Sequence, residues 1–116
     1  IMHELSIMKE VLEVALEYAE KNDAKKINKI GLSIGALATV VPDWAQMFFE
    51  YVAKGTVAEN AKIEIETIPA RIRCRSCGAE IKMDVGNLLF ACNQCDSKAI
   101  ELISGREFKV VYLEVE

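Results

Sequence analysis

The chain has 116 residues, 52% of them hydrophobic, with four cysteines, one histidine and a formal net charge of −4. That length bounds it to one or two small units with a modest core, which a bound metal would help to hold. The acidic balance argues against nucleic acid as the main partner, since such binding draws on an excess of Lys and Arg on one face; the lone His3 excludes any site needing two imidazoles from one chain.

From Leu5 to about Lys21, the residues Leu5, Met8, Leu12, Ala15, Leu16 and Ala19 recur at helical spacing, widened by Val11. Glu10, Glu13, Glu17 and Glu20 lie mostly off that stripe, which predicts an amphipathic helix ended by Asn22 and Asp23. Ile30, Leu32 and Ile34 alternate with Lys29, Gly31, Ser33 and Gly35, the pattern of a strand over 27–37. The small residues on its second face imply that something packs close there. Pro42-Asp43 opens a second helix, with Trp44, Met47, Phe48, Tyr51 and Val52 as its expected buried stripe and Lys54-Gly55 as its stop. Residues 61–68 alternate as a half-exposed strand closed by Pro69. The last segment, Glu107 to Val115, is apolar on both faces, which places it at a sheet centre or an interface. It returns to the first sheet, so residues 70–103 are expected as an insertion, too short for a core of its own, within a unit made of 1–69 and 104–116. No apolar run of about 18 residues and no secretory leader pattern occurs, so the expected chain is soluble and cytoplasmic, with no membrane partner.

The insertion holds Cys74-Arg75-Ser76-Cys77 and Cys92-Asn93-Gln94-Cys95, a C-x2-C-x14-C-x2-C pattern. In a reducing compartment such pairs are metal ligands rather than disulfides. The two-residue gap lets both thiolates of a pair turn toward one ion, and Gly78 supplies the left-handed position such a turn favours. Four soft thiolates fit a closed, structural Zn²⁺ site. Iron is the chemical rival, since it accepts the same ligands, and a thioredoxin-like redox pair or a disulfide would use the same cysteines without a metal. Arg71, Arg73 and Arg75 alternate beside the first pair. They suit a solvated strand face whose charge offsets the zinc tetrathiolate better than a nucleic-acid patch.

At the other end of the chain stands Met2-His3-Glu4. A terminal amine, deprotonated backbone amides and an imidazole make a flat four-nitrogen site suited to Ni²⁺ or Cu²⁺. Taken alone, the same three residues also fit a frayed, unliganded terminus.

Met2-His3-Glu4-Leu5-Ser6-Ile7 resembles the opening of the HypA/HybF hydrogenase nickel-incorporation proteins. Ile34-Gly35 before the Pro42 helix, Gly55-Thr56 with Glu59-Asn60-Ala61, both cysteine pairs, and Ser104-Gly105-Arg106-Glu107 extend the resemblance in order along the chain. It implies an α+β fold: two helices on a three-stranded sheet carrying nickel, and an inserted four-cysteine zinc-knuckle domain. It implies Ni²⁺ as cargo, bound through His3 and nearby backbone nitrogens, with Glu4 tuning the site and zinc bound structurally. It also implies a HypB-type GTPase and the large subunit of [NiFe] hydrogenase as partners. Two positions depart from the family pattern. Ile1 precedes Met2, which would add its amine to a different chelate if it is the true terminus. Many relatives carry an acid just before the second helix's Pro; here Val41 stands there and Asp43 is the nearest acid.

These readings give a cytoplasmic nickel metallochaperone, monomeric or a strand-exchanged homodimer. The alternative is a zinc-ribbon module for protein or nucleic acid without nickel function, which leaves His3 unexplained. An enzyme ranks last, because zinc consumes the cysteines and neither a histidine base nor a Gly-rich phosphate loop is left.

Overall fold

Helix α1 runs from Met2 to Lys21 in the computed structural model, three residues earlier than the periodicity indicates. The structure describes residues 2–38, 42–84 and 86–116, and leaves the side chains of Met2, His3 and Pro42 undescribed. Met8, Val11, Leu12, Ala15 and Ala19 are buried, and the four glutamates of the other face are exposed. The stop at Asn22-Asp23 has a definite geometry. Asp23 takes φ 53°, its N–H reaches Glu20 O at 3.2 Å, and the Ala24 N–H reaches Ala19 O at 2.8 Å. This is a Schellman ending, with Asp23 in the position glycine usually fills.

Strand β1 (Ile27–Gly35) is the middle of a three-stranded sheet. Helix α2 (Pro42–Val52) follows, then strand β2 (Lys62–Ile68) on one side of β1 and strand β6 (Phe108–Val115) on the other. The Ala36 N–H donates to Ile68 O where β1 and β2 both end, so these two strands run the same way. Lys26 and Glu116 exchange backbone bonds of 2.8 and 3.3 Å, so the start of β1 meets the end of β6 and this pair is antiparallel. Gln46 of α2 ties the helix to β2: its Oε1 accepts the Ile63 N–H at 2.7 Å and its Nε2 donates to Ala61 O at 3.3 Å. The small second face of β1 is explained by Tyr112. A Cβ on Gly31 would fall inside the Tyr112 ring, so glycine is what lets that ring lie flat on the sheet.

Two expectations are corrected here. The buried side of α2 is Ala45 and Phe49, continued by Ala53 just past its end; of the expected stripe Phe48 and Val52 are half-buried, while Trp44, Met47 and Tyr51 are 44%, 59% and 66% exposed. The helix is apolar on more than one face, and its alanines permit the closer approach that seals Phe49. Strand β6 does return to the first sheet, but as an edge, not its centre, and Val111, Tyr112 and Val115 lie exposed along it.

A second sheet, ordered β4-β3-β5, is formed by strands β3 (Ala70–Cys74), β4 (Glu80–Met83) and β5 (Ile100–Ser104), antiparallel throughout. Ala70, Ile72 and Met83 are buried beneath Leu37, Ile81, Leu89, Ile100 and Leu102. The insertion therefore has a small core, contrary to expectation, because three short strands pool one or two apolar side chains each. By its contacts the chain divides into one unit of Ile1–Ser33, Thr39–Glu66 and Lys109–Glu116, and another of Ile34–Ala38 and Thr67–Phe108. The Ser104–Glu107 motif is a turn within the second. Ser104 Oγ donates to Pro69 O at 2.7 Å, Gly105 takes φ 120° against Ala70, and Glu107 accepts the Gly105 N–H at 2.7 Å.

Candidate metal centre

Both cysteine pairs are held by the same turn. In the first, the Gly78 N–H donates to Cys74 O at 2.9 Å and the Cys74 N–H to Ala79 O at 2.9 Å. In the second, the Asp96 N–H donates to Cys92 O at 2.9 Å and the Cys92 N–H to Ser97 O at 2.7 Å. Gly78 at φ 78° and Asp96 at φ 60° occupy matching left-handed positions. Asp96 escaped the sequence reading, although its place four residues after Cys92 copies that of Gly78 after Cys74, and Asp tolerates this conformation. Ser76 and Ser97, also unremarked in the sequence, join the two turns through a 2.7 Å hydroxyl pair.

These turns bring the sulfurs of Cys74, Cys77, Cys92 and Cys95 within 4.8 Å of one another. Cys74 and Cys95 are 3.6 Å apart and Cys77 and Cys92 are 3.7 Å apart. A zinc tetrathiolate with bonds of about 2.3 Å has sulfur–sulfur edges of about 3.8 Å, so the cluster matches that tetrahedron. The Gln94 N–H donates to Cys92 Sγ at 3.3 Å, as it would to a charged sulfur.

The protons tell the same story. The Cys77 amide is the largest pull on Cys74 and, with the Ser76 amide, outweighs burial and holds that thiol down to about 6. At Cys95 the Ser97 amide pulls the same way, but the Cys74 sulfur, burial and the other two sulfurs outweigh it and push the thiol up to about 12. Cys77 is likewise raised, the Ala79 amide losing to burial and the Cys92 sulfur. Without a cation the cluster favours a thiolate at Cys74 and resists one at Cys77 and Cys95; a divalent ion takes its cysteine ligands as thiolates. With every ligand position filled, the bound ion holds the fold and offers no open site for chemistry.

Two of the three arginines beside the site are ion-paired. Arg73 reaches Glu80 at 3.4 Å and Glu101 at 3.9 Å, and Arg75 reaches Glu101 at 2.9 Å. The expected offset to the tetrathiolate is therefore shared with two acids.

At the other candidate site, Met2, His3 and Glu4 form the first turn of α1 in backbone. Ile1 and the side chains of Met2 and His3 lie outside the described residues, as does Val41. Asp43 is exposed in the first turn of α2. Glu4 is only 8% exposed, and its Oε2 has no hydrogen-bond partner among the described residues.

A protein-family model described as "Hydrogenase/urease nickel incorporation, metallochaperone, hypA" matches residues 2–115. A hydrogenase maturation factor HypA of Acidithiobacillus ferrooxidans is 38% identical over 115 residues, covering 99% of this chain and 100% of the relative. Its counterpart in a Nostoc species is 39% identical over 115 residues, covering 99% and 96%. A solution structure of a HypA protein superposes with a TM-score of 0.74 at 26% identity, covering 100% of this chain and 98% of that one. The solution structure of the Ni metallochaperone HypA from Helicobacter pylori shares the fold, with a TM-score of 0.67 at 24% identity over 97% and 96% of the two chains. No described helix is long and apolar enough to cross a membrane. The α+β architecture, the four-sulfur cluster and a match running from Met2 to Val115 agree, and the chain belongs to the HypA family of nickel-incorporation metallochaperones.

Proposed function

We propose that this chain takes up Ni²⁺ at Met2-His3-Glu4 and hands it on during hydrogenase maturation, while Cys74, Cys77, Cys92 and Cys95 hold a structural zinc. The observation that carries the nickel reading is Glu4, a buried carboxylate whose Oε2 is unpartnered one residue from the chain's only imidazole. Native proteins rarely leave such a group without a reason, and an ion that it binds is one such reason. The first amides of a helix have no intrahelical acceptor, so Met2, His3 and Glu4 can turn their nitrogens to a metal at the cost of one turn. A site at the end of a helix also lets go without unfolding a core, as a carrier of cargo requires.

On this reading the protein is cytoplasmic and works by binding, not catalysis. The nickel domain spans 1–69 and 104–116 and the zinc domain 70–103. Its partners are a HypB-type GTPase and the hydrogenase large subunit, with no nucleic acid and no membrane, and it acts as a monomer or a strand-exchanged homodimer. The test is His3→Ala, followed by calorimetric titration with Ni²⁺ and elemental analysis for zinc. Stoichiometric nickel binding should vanish while one zinc per chain remains; nickel binding at the parent affinity would overturn the proposed site.

A further inference from the structure

The exposed face of the second sheet changes character along β3. Arg73 stands opposite Glu80 on β4 and Glu101 on β5, and its guanidinium reaches both, at 3.4 and 3.9 Å. At the start of the same strand the match fails: Arg71 stands opposite Lys82 on β4 and Ser104 on β5. Directly opposed side chains of an antiparallel pair share a face with their Cβ atoms about 5 Å apart, and like charges there destabilise the pair. Arg71 is half-buried and Lys82 exposed, and neither side chain has a hydrogen bond or an ion pair among the described residues.

Two further features mark the spot. The pairing of β3 with β5 slips between Arg71 and Ile72, which leaves Ile103 as an extra residue on β5. Such a bulge re-aims the side chains beside it and recurs next to active sites. Lys82 also borders a cleft of about 520 Å³, together with Thr67, Pro69, Ala70, Met83 and Asp84. The Thr67 hydroxyl is exposed there and has no partner among the described residues, while Asp84 Oδ1 accepts the Gly86 N–H at 3.0 Å. The four-sulfur cluster does not account for the pair. Arg71 precedes Cys74 by three positions, about 10 Å along an extended strand and so about one Debye length away, and Arg73 and Arg75 stand closer.

We propose that Arg71 and Lys82 hold a phosphate monoester, its phosphoryl group bridging the guanidinium and the ammonium and its organic part lying in the cleft beside Lys82. Two cations side by side call for two negative charges on one small group. A phosphate monoester carries nearly two at neutral pH, on three oxygens, enough for a forked contact from Arg71 and a further one from Lys82. A single carboxylate would neutralise one cation and leave the other. A phosphodiester carries one charge, and two cations are too few to hold a nucleic-acid backbone. The ester can belong to a small metabolite or to a phosphorylated side chain, since the group recognised is the same. The proposal is independent of the nickel site.

The zinc-loaded full chain is titrated with inorganic phosphate at fixed ionic strength and followed by the NMR shifts of its backbone amides. Saturable shifts are expected at Arg71, Lys82 and Ser104, half-complete at millimolar phosphate. Arg71→Gln and Lys82→Gln should each weaken binding by about tenfold or more. Lys54→Gln, at an exposed lysine of the other unit, should change it by less than about twofold. Lys82→Gln should also raise the melting temperature of the phosphate-free protein by about 1 °C or more, because it removes the repulsion from Arg71. A nucleoside monophosphate and a phosphoserine peptide are titrated next; both should bind more tightly than inorganic phosphate, and the tighter of the two names the source. Shifts scattered over all the basic residues, binding indifferent to Arg71→Gln and Lys82→Gln, esters that bind more weakly than inorganic phosphate, or a Lys82→Gln protein that melts below its parent would each overturn the proposal.

Discussion

If Glu4 is kept for its cargo, the apo protein should become more stable without it. Its Oε2 is buried and unpartnered, and a buried acceptor left unsatisfied costs about 1–3 kcal/mol. Replacing it with Met keeps the length of the side chain and removes that cost. The opposing loss is the favourable interaction of an acid with the start of α1, about 0.3–1 kcal/mol. Glu4→Met should therefore stabilise the nickel-free protein by about 1–2 kcal/mol, while Glu4→Gln, which keeps a polar end, should gain less. Urea unfolding of the zinc-loaded protein, followed by the fluorescence of its one tryptophan, Trp44 in α2, reads this directly. The midpoint should rise with the slope unchanged. Nickel affinity should fall in the same variant. A Glu4→Met protein that is less stable than its parent would show that the carboxylate is satisfied in solution and that its burial is no sign of an absent cation.

The remaining expectations concern other parts of the molecule. Phe49 is fully buried on α2, so Phe49→Ala should cost about 3–5 kcal/mol in chemical unfolding, whereas Tyr51→Ala on the exposed face of the same helix should be nearly silent. Cys95→Ser should drop zinc below one equivalent by elemental analysis and abolish the structure of residues 70–103, with the circular-dichroism signal of α1 largely kept. The Tyr112 hydroxyl, then Lys29, holds the Glu64 carboxyl below its ordinary 4.5, and the same bond raises Tyr112 above its ordinary 10.0. The Glu64 contribution to stability is thus present above pH 4.5 and lost as pH falls through its lowered value. The Tyr112 contribution is present below pH 10.0 and lost as pH rises through its raised value. Tyr112→Phe should flatten both limbs of the stability–pH curve, and unchanged limbs would show that the bond has no weight in solution.

What the residues disclosed in advance follows from where their signals are local. The α1 stripe, its Asn22-Asp23 stop and the paired cysteines each depend on neighbours a few positions away. A helical period and a two-residue gap are legible without knowing what lies opposite. The burial of α2 was not. Its aromatic residues outrank its alanines in hydropathy, but Ala45 and Ala53 flank Phe49 at the positions that allow close packing, and only a partner surface decides between two apolar faces. β6 misled for a related reason: an apolar strand can be hidden by its own chain or by another molecule, and hydropathy reads the same for both. The core of the insertion was missed because Ile72, Met83, Leu89 and Leu102 are scattered singly, too sparse for any periodic signal. Met2-His3-Glu4 was singled out through resemblance; nothing in its pattern announced that Glu4 would be buried without a hydrogen-bond partner among the described residues.

The order of strands has a consequence for how the chain is made. β1 takes β2 on one side and β6 on the other, and the whole cysteine-bearing segment is synthesised between them. Until β6 emerges, β1 has one open edge and Gly31 has no ring over it. β6 must then close a long loop onto β1, a step whose entropy grows with the length of chain left slack. Zinc held by Cys74, Cys77, Cys92 and Cys95 would shorten that slack, so the sheet, which holds none of the metal's ligands, should be completed faster in refolding with zinc than in refolding without it.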